Sequence, residues 1–192
     1  MKNKRFLPLI FGLLLLAAFI LMAACPQLFT DYGQKEMFQP WSKPDSEHIL
    51  GTNAMGYDIF TELVYGARQT LLIGVASSIL TMLLGTFIGV AAAGKGILAP
   101  IFNGLINVFV LLPRLITLIV LASFVGSSQR NLILLISAFS WVGIARNVRA
   151  KVIHINGETF IENCTIQGFS RHHIVLHHVI PNLYDVLISR FL

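Results

Sequence analysis

Charge is scarce in this chain. Of its 192 residues, 12% are Asp, Glu, Lys or Arg, against roughly 25% in soluble domains. Together with uncharged apolar runs of about 20 residues, this excludes an ordinary soluble core and indicates an integral membrane protein. Six of the nine acidic residues (Asp31, Glu36, Asp45, Glu47, Asp58 and Glu62) crowd into residues 25–69, and none falls in an expected span. Cysteine is nearly absent: Cys25 and Cys164 stand alone, with no CxxC or Cys/His metal spacing. No Ser/His/Asp or paired-carboxylate arrangement lies within a span. The turn Gly94-Lys95-Gly96 is too short for a phosphate-binding loop and lacks the following Ser or Thr, so no ATP site is expected. The chain is therefore read as a non-enzyme without a cofactor. Its net charge of +5 gathers at the flanks of apolar runs rather than on one stripe, which argues against nucleic acid as a partner.

What is present is a series of apolar runs. Lys2, Lys4 and Arg5, in a cytoplasmic N-terminus over 1–5, precede a span over 6–24; the basic start places that terminus inside. A competing reading is a cleaved lipoprotein signal, with Met22-Ala23-Ala24 before Cys25. Residues 25–70 form a polar extracytoplasmic loop, broken by Pro40, Pro44 and Gly51, in which His48, Asp45 and Glu47 are read as solvated. A metal site around His48 is the alternative, imidazole being a common metal ligand. Asp58–Ala67 reads as a short interfacial helix. Span two covers 71–93, where Gly85 and Gly89 share a face and permit close helix approach. A third span, 102–125, carries Pro113 and Arg114 near its middle. An arginine at that depth costs about 3 kcal/mol, so Arg114 is expected at a helix interface or on a translocation path, with Pro113 kinking the helix. The fourth span is 132–148, oriented by Arg146, Arg149 and Lys151 as its cytoplasmic flank.

Residues 149–182 are different in kind. Helix-like pieces cover Ile144–Asn156 and Glu158–Gln167. Gly168 suits the left-handed turn after the second, Ser170 can cap a helix over Arg171–Val179, and Pro181 is expected to stop it. Such a helix–Gly–helix unit has the shape of a docking element for another protein. His173 and His177 have the i, i+4 spacing of a zinc pair, but no glutamate stands between them. They read first as polar residues of an amphipathic helix whose apolar face is Ile174, Val175 and Val179.

Glu162-Asn163-Cys164, then Gly168, then His178, Ile180 and Pro181, keeps the full spacing of one family's pattern: Glu-Ala-Ala, three residues, Gly, nine residues, Ile, one residue, Leu-Pro. The alanines and the isoleucine are replaced. His178-x-x-Pro181-Asn182 and the approach Trp141-x-x-x-Ala145-Arg146-x-x-Arg149-Ala150 fit the same family. So does an upstream motif, His48-x-Leu50-Gly51-Thr52-Asn53-x-x-Gly56-x-Asp58, followed by Tyr65-Gly66-Ala67-Arg68. The chain thus resembles the permease subunit of bacterial ABC importers of the dipeptide/oligopeptide/nickel type.

That resemblance implies an all-α polytopic protein of the bacterial inner membrane, with about four transmembrane helices and a cytoplasmic coupling loop. It resembles a truncated type I importer permease, since the family's last two spans would follow the tail 183–192, which Asp185 and Arg190 interrupt. Cytoplasmic ABC ATPase subunits, a second homologous permease, an extracytoplasmic substrate-binding protein and membrane lipid are the implied partners. Glu162, Gly168, Ser170, His178, Pro181 and Asn182 are the implied coupling residues, and the implied mechanism is alternating access. Relatives often carry a small or apolar residue after the proline, so Arg114 departs from the pattern. Two alternatives remain: a non-transporting remnant or fragment, and a metal-handling membrane protein using His172–His178.

Overall fold

Asp58 ends the polar segment and starts the longest helix. Its Oδ1 accepts the Thr61 N–H at 2.7 Å, capping a helix whose following residues carry almost no charge. In the computed structural model, which describes residues 7–126, 128–184 and 187, helices dominate. They are α1 (Leu7–Ala24), α2 (Ile59–Ala92), α3 (Leu98–Leu111), α4 (Arg114–Val125), α5 (Gln129–Asn156), α6 (Thr159–Ile166) and α7 (Arg171–Ile174). No strand occurs among the described residues; Thr52 and Asp58 form one isolated bridge. This is the all-α architecture expected, but where about four spans were expected, two helices among the described residues, α2 and α5, are long and apolar enough to cross a membrane, or three spans if the bent pair α3 and α4 is counted as one. The N-terminal cations Lys2, Lys4 and Arg5, and Asp185 and Arg190 of the tail, lie outside the described residues.

Two compact units divide the chain at Gly74. In the first, α1 leaves Leu9, Phe11 and Leu14 more than half exposed, an uncovered apolar surface. The polar segment after it is ordered by its own hydrogen bonds and by the first turns of α2. Thr61, Val64 and Ala67, three residues apart, form the buried face of those turns.

In the second unit α2 and α5 are each long and apolar enough to cross a membrane. Their contact is close because Gly85 and Gly89 lack side chains. A Cβ on Gly85 would stand 2.7 Å from the Ile144 Cβ, and one on Gly89 2.7 Å from the Ala145 carbonyl oxygen. Ile88, Ala92, Ile106, Trp141 and Ala145 form one apolar cluster, with Phe102 and Phe109 packed against it. The Asn103 side-chain amide donates to the Ala92 and Ala99 carbonyls at 2.9 and 2.8 Å, which ties α3 to the end of α2.

Three boundaries differ from expectation. The 102–125 segment is not one helix: α3 and α4 meet at a break of 88°. Proline explains it, because Pro113 has no N–H and drives Leu112 to an extended ψ of 129°. Second, the 71–93 segment and the short helix before it are one 34-residue helix, because nothing between Asp58 and Gly94 interrupts the pattern. Third, the 132–148 segment continues without a break to Asn156, so Arg146, Arg149 and Lys151 belong to the 28-residue α5.

Candidate functional site

The expected coupling region begins where α5 stops at Gly157. After α6, the Gly168 N–H donates to the Thr165 carbonyl and the Phe169 N–H to the Cys164 carbonyl, both at 3.1 Å, with Gly168 at φ +81°. This pair of bonds is the Schellman arrangement that closes a helix end, and the left-handed φ is why glycine stands there. Ser170 then caps α7, its Oγ accepting the His173 N–H at 3.3 Å. Gly168 and Ser170 thus stand where the helix–Gly–helix expectation put them, but of the α-helix expected over Arg171–Val179 only Arg171–Ile174 is α-helical. Pro181 does not stop the chain's helical course, however. Residues Val175–Val179 widen into a π-helical turn, the Ile180 N–H reaching the Val175 carbonyl at 2.9 Å, and Pro181 opens a short 3-10 turn. The wider turn makes room for a ring that would otherwise press on the carbonyl four residues back.

One face of this region is seated. Ile161, Ile174, Val179 and Leu183 join Val148, Val152 and Ile155 of α5 in an apolar cluster, as expected for Ile174 and Val179, whereas Val175, expected on the same face, is half-buried and lines the cleft beside it. Ile166, at 77% exposed, and the half-exposed Phe160, Phe169 and Leu176 form the other face. Beside the cluster opens a cleft of about 770 Å³, with Lys95, Glu162, Arg171 and His172 among its lining residues. The Arg171 guanidinium donates to the Lys95 carbonyl at 3.4 Å, so α7 is tied to the turn after α2 as well as to α5. Of the expected coupling residues, Glu162 is exposed on α6, Ser170 and Gly168 shape the turn, and Asn182 donates to the His178 carbonyl at 2.6 Å. His178 Nε2 lies 3.8 Å from the Cys164 sulfur.

The histidines do not converge. The His173 and His177 rings stack face to face, with centroids 4.1 Å apart, and Phe169 stacks on the other side of His173. Stacked faces point ring nitrogens alongside one another instead of at a shared point. Among the described residues no group of three or more His, Cys, Asp or Glu side chains is placed to hold a metal.

Within the first unit, the upstream motif condenses into a clasp. His48 is buried, contrary to the solvated reading: its Nδ1 stands 3.0 Å from Asp58 Oδ2, and Tyr32 and Phe38 pack around the ring. Burial alone would raise the Asp58 carboxyl. The hydrogen bonds from the Thr61 N–H and hydroxyl and from His48, with the His48 charge, outweigh it and hold the carboxyl below its ordinary value. Thr52 Oγ1 accepts the Ser42 N–H at 2.8 Å. Gly51 (φ +74°) and Gly56 (φ +81°) are obligatory, because a Cβ on either would run into the carbonyl oxygen of Ser42 or Phe38. Gly66 and the exposed Arg68 lie farther along α2, outside the clasp. The sequence signal for Asp58 was available: an acid just before an apolar run, with Thr61 and Glu62 following, is a helix start. The pairing with His48, ten residues earlier, was not.

Arg114 is the first residue of α4, immediately after the break, and its Nη2 donates to Ser140 Oγ at 2.6 Å. Ser140 was not singled out from sequence, since nothing in a lone serine of an apolar run announces a partner 26 residues away.

Residues 82–192 match the family described as binding-protein-dependent transport system inner membrane component. The chain belongs to that family. A dipeptide transport system permease protein of Alkalihalophilus pseudofirmus is 31% identical over 184 residues, 94% of this chain and 60% of that protein. A putative peptide permease protein of Brucella abortus is 30% identical, over 93% of this chain and 60% of the relative. An oligopeptide transport system permease protein of Bacillus subtilis is 26% identical, over 89% and 57%. The chain thus spans about 60% of the length of these curated relatives. Membership makes it a membrane protein and agrees with the ABC importer permease resemblance.

Proposed function

We propose that this chain is a transmembrane subunit of an ABC importer whose cargo is a peptide, and that residues 157–183 receive the motion of a cytoplasmic ATPase. The observation that carries the reading is the build of that region: one face locked to α5 by Ile161, Ile174, Val179 and Leu183, the opposite face exposed at Phe160, Ile166 and Phe169. A helix in a partner's groove needs such an exposed apolar face, and a transmitter needs the rigid seat behind it. Force on α6 and α7 would pass to α5 through the cluster and to the end of α2 through the Arg171–Lys95 bond. The ATPase closing on ATP would bias the helices between outward- and inward-open arrangements, a shift between two states rather than a chemical step. A second permease subunit, an extracytoplasmic binding protein that delivers cargo, and surrounding lipid complete the assembly.

Peptide is favoured over nickel because the relatives carry dipeptide or oligopeptide transport in their names. In the proposed topology the coupling region is cytoplasmic, flanked by Arg146, Arg149 and Lys151, and the His48–Asp58 clasp lies outside. Pro113 and Arg114, at the broken helix pair, line the translocation path.

The test is uptake of a labelled dipeptide by cells carrying Gly168→Val. A β-branched residue at φ +81° is strained, so the turn between α6 and α7 must change. Uptake is expected to be lost while the chain still inserts in the membrane. Normal uptake in the inserted variant would remove this region from the mechanism.

A further inference from the structure

Arg114 has no countercharge within reach of its sequence neighbourhood. No Asp or Glu occurs between Glu62 and Glu158, which covers the whole of α3, α4 and α5 and nearly all of α2. Its structural partner is neutral: Ser140 Oγ accepts from Nη2 at 2.6 Å while its own hydroxyl donates to the Ile136 carbonyl at 2.6 Å. A guanidinium offers five donors in a planar fork suited to a carboxylate, and this one is exposed. The backbone adds to the same spot. The 88° break makes Arg114 the first residue of an interrupted helix, and Pro113 gives that helix no side-chain cap. The first N–H groups of α4 therefore point out of the break with the positive end of the helix dipole. Interrupted membrane helices present such ends to the anionic groups of what they carry. Ser140 also lines a cleft of about 120 Å³ whose hydroxyls come from Ser77, Ser78 and Thr81 as well.

We propose that Arg114, the uncapped start of α4 and the hydroxyl-lined cleft beside Ser140 form a recognition point for the carboxylate terminus of the peptide cargo. The proposal rests on the reading of this chain as a peptide permease and adds which end of the cargo is held and by what. Arg114 binds the carboxylate, and Ser140 is a positioning residue that holds the guanidinium across from α5. A peptide lacking the free carboxylate forfeits the charge-assisted pair.

The test uses the chain in membranes with its partner subunits, with Cys25→Ser and Cys164→Ser as background and Ser78→Cys as reporter. Labelling of that thiol is timed with an anionic sulfonatoethyl and a cationic trimethylammonioethyl methanethiosulfonate. Alanyl-alanine and its C-terminal amide serve as protectants. The expected result is a rate about tenfold in favour of the anionic reagent, from one nearby positive charge at reduced dielectric. The free acid should slow labelling and the amide should not. Arg114→Gln should erase both differences, and Arg114→Lys should restore the reagent preference. Three results would overturn the proposal: no labelling, equal rates for the two reagents (as when a partner helix supplies the carboxylate), or equal protection by acid and amide. Labelling needs no transport step, so its outcome is separate from that of Gly168→Val uptake. If uptake is lost in that variant and labelling shows no charge preference, only the role of Arg114 falls.

Discussion

The clasp around His48 and the coupling region around Gly168 solve one problem with opposite materials. Both are non-spanning segments that must stay ordered. The clasp does it with polar groups: Asp58 serves His48 and the start of α2 at once, Thr52 joins two stretches of backbone, and Thr30 Oγ1 meets Thr61 Oγ1 at 2.6 Å. The coupling region does it chiefly with an apolar seat, Val179 and Leu183 being fully buried, with the Ser170 cap and the Arg171–Lys95 bond as its polar ties. A polar clasp spends its hydrogen-bonding groups on itself. An apolar seat leaves the outer face free for a partner. The difference suits the second segment to be the one pushed upon in the proposed mechanism.

The hardest way to break this contrast is a charge in the seat. Val179→Asp places an unpaired carboxylate at a position with 0% exposure, at a cost of several kcal/mol, roughly 3–5 for an uncompensated buried charge. Residues 157–183 should become protease-sensitive in membrane vesicles, while the first unit keeps its resistance. Next is Gly56→Ala, where a Cβ meets the Phe38 backbone at positive φ. Left-handed strain alone costs about 1–2 kcal/mol and the clash adds to it. Here the 25–58 segment should become labile while the coupling region is untouched.

Asp58→Asn should cost about 1–3 kcal/mol by weakening charge-assisted bonds to His48 and Thr61. It also sharpens the comparison through pH. The Asp58 pKa is lower in the folded chain than in the unfolded one, so its stabilisation is full above the unfolded value of about 3.9 and fades as pH falls through the folded value. Acid should therefore loosen the clasp in the native chain, and Asp58→Asn should flatten that pH dependence in a proteolysis or hydrogen-exchange profile. The smallest effect is Ser170→Ala, which removes a cap worth about 1 kcal/mol and should fray α7 without unseating Val179.

Helices and caps were legible in the sequence because their causes are local. Asp58, Gly168 and Ser170 each act within a few residues, and the run lengths speak for themselves. The close approach at Gly85 and Gly89 was legible for the same reason, since two glycines four apart can mean little else in an apolar helix. What was not legible is what depends on a partner far along the chain. His48 looked solvated because its carboxylate arrives only when residues 48–58 fold back. Arg114 could be placed near a break but not against Ser140. The π-helical turn at Val175–Val179 was hidden too, because Pro181 predicts a stop unless the preceding turn can widen.

The most direct test of the central claim is a pair of single-cysteine crosslinks in native membranes, made without Cys25 and Cys164. One reporter is Ile166→Cys on the exposed face of the coupling region, and the other is Met37→Cys, 68% exposed beside the clasp. A cytoplasmic ATPase joined to residue 166 and never to residue 37 is the predicted result. An ATPase captured from residue 37, or none captured from residue 166 in an inserted chain, would contradict the account.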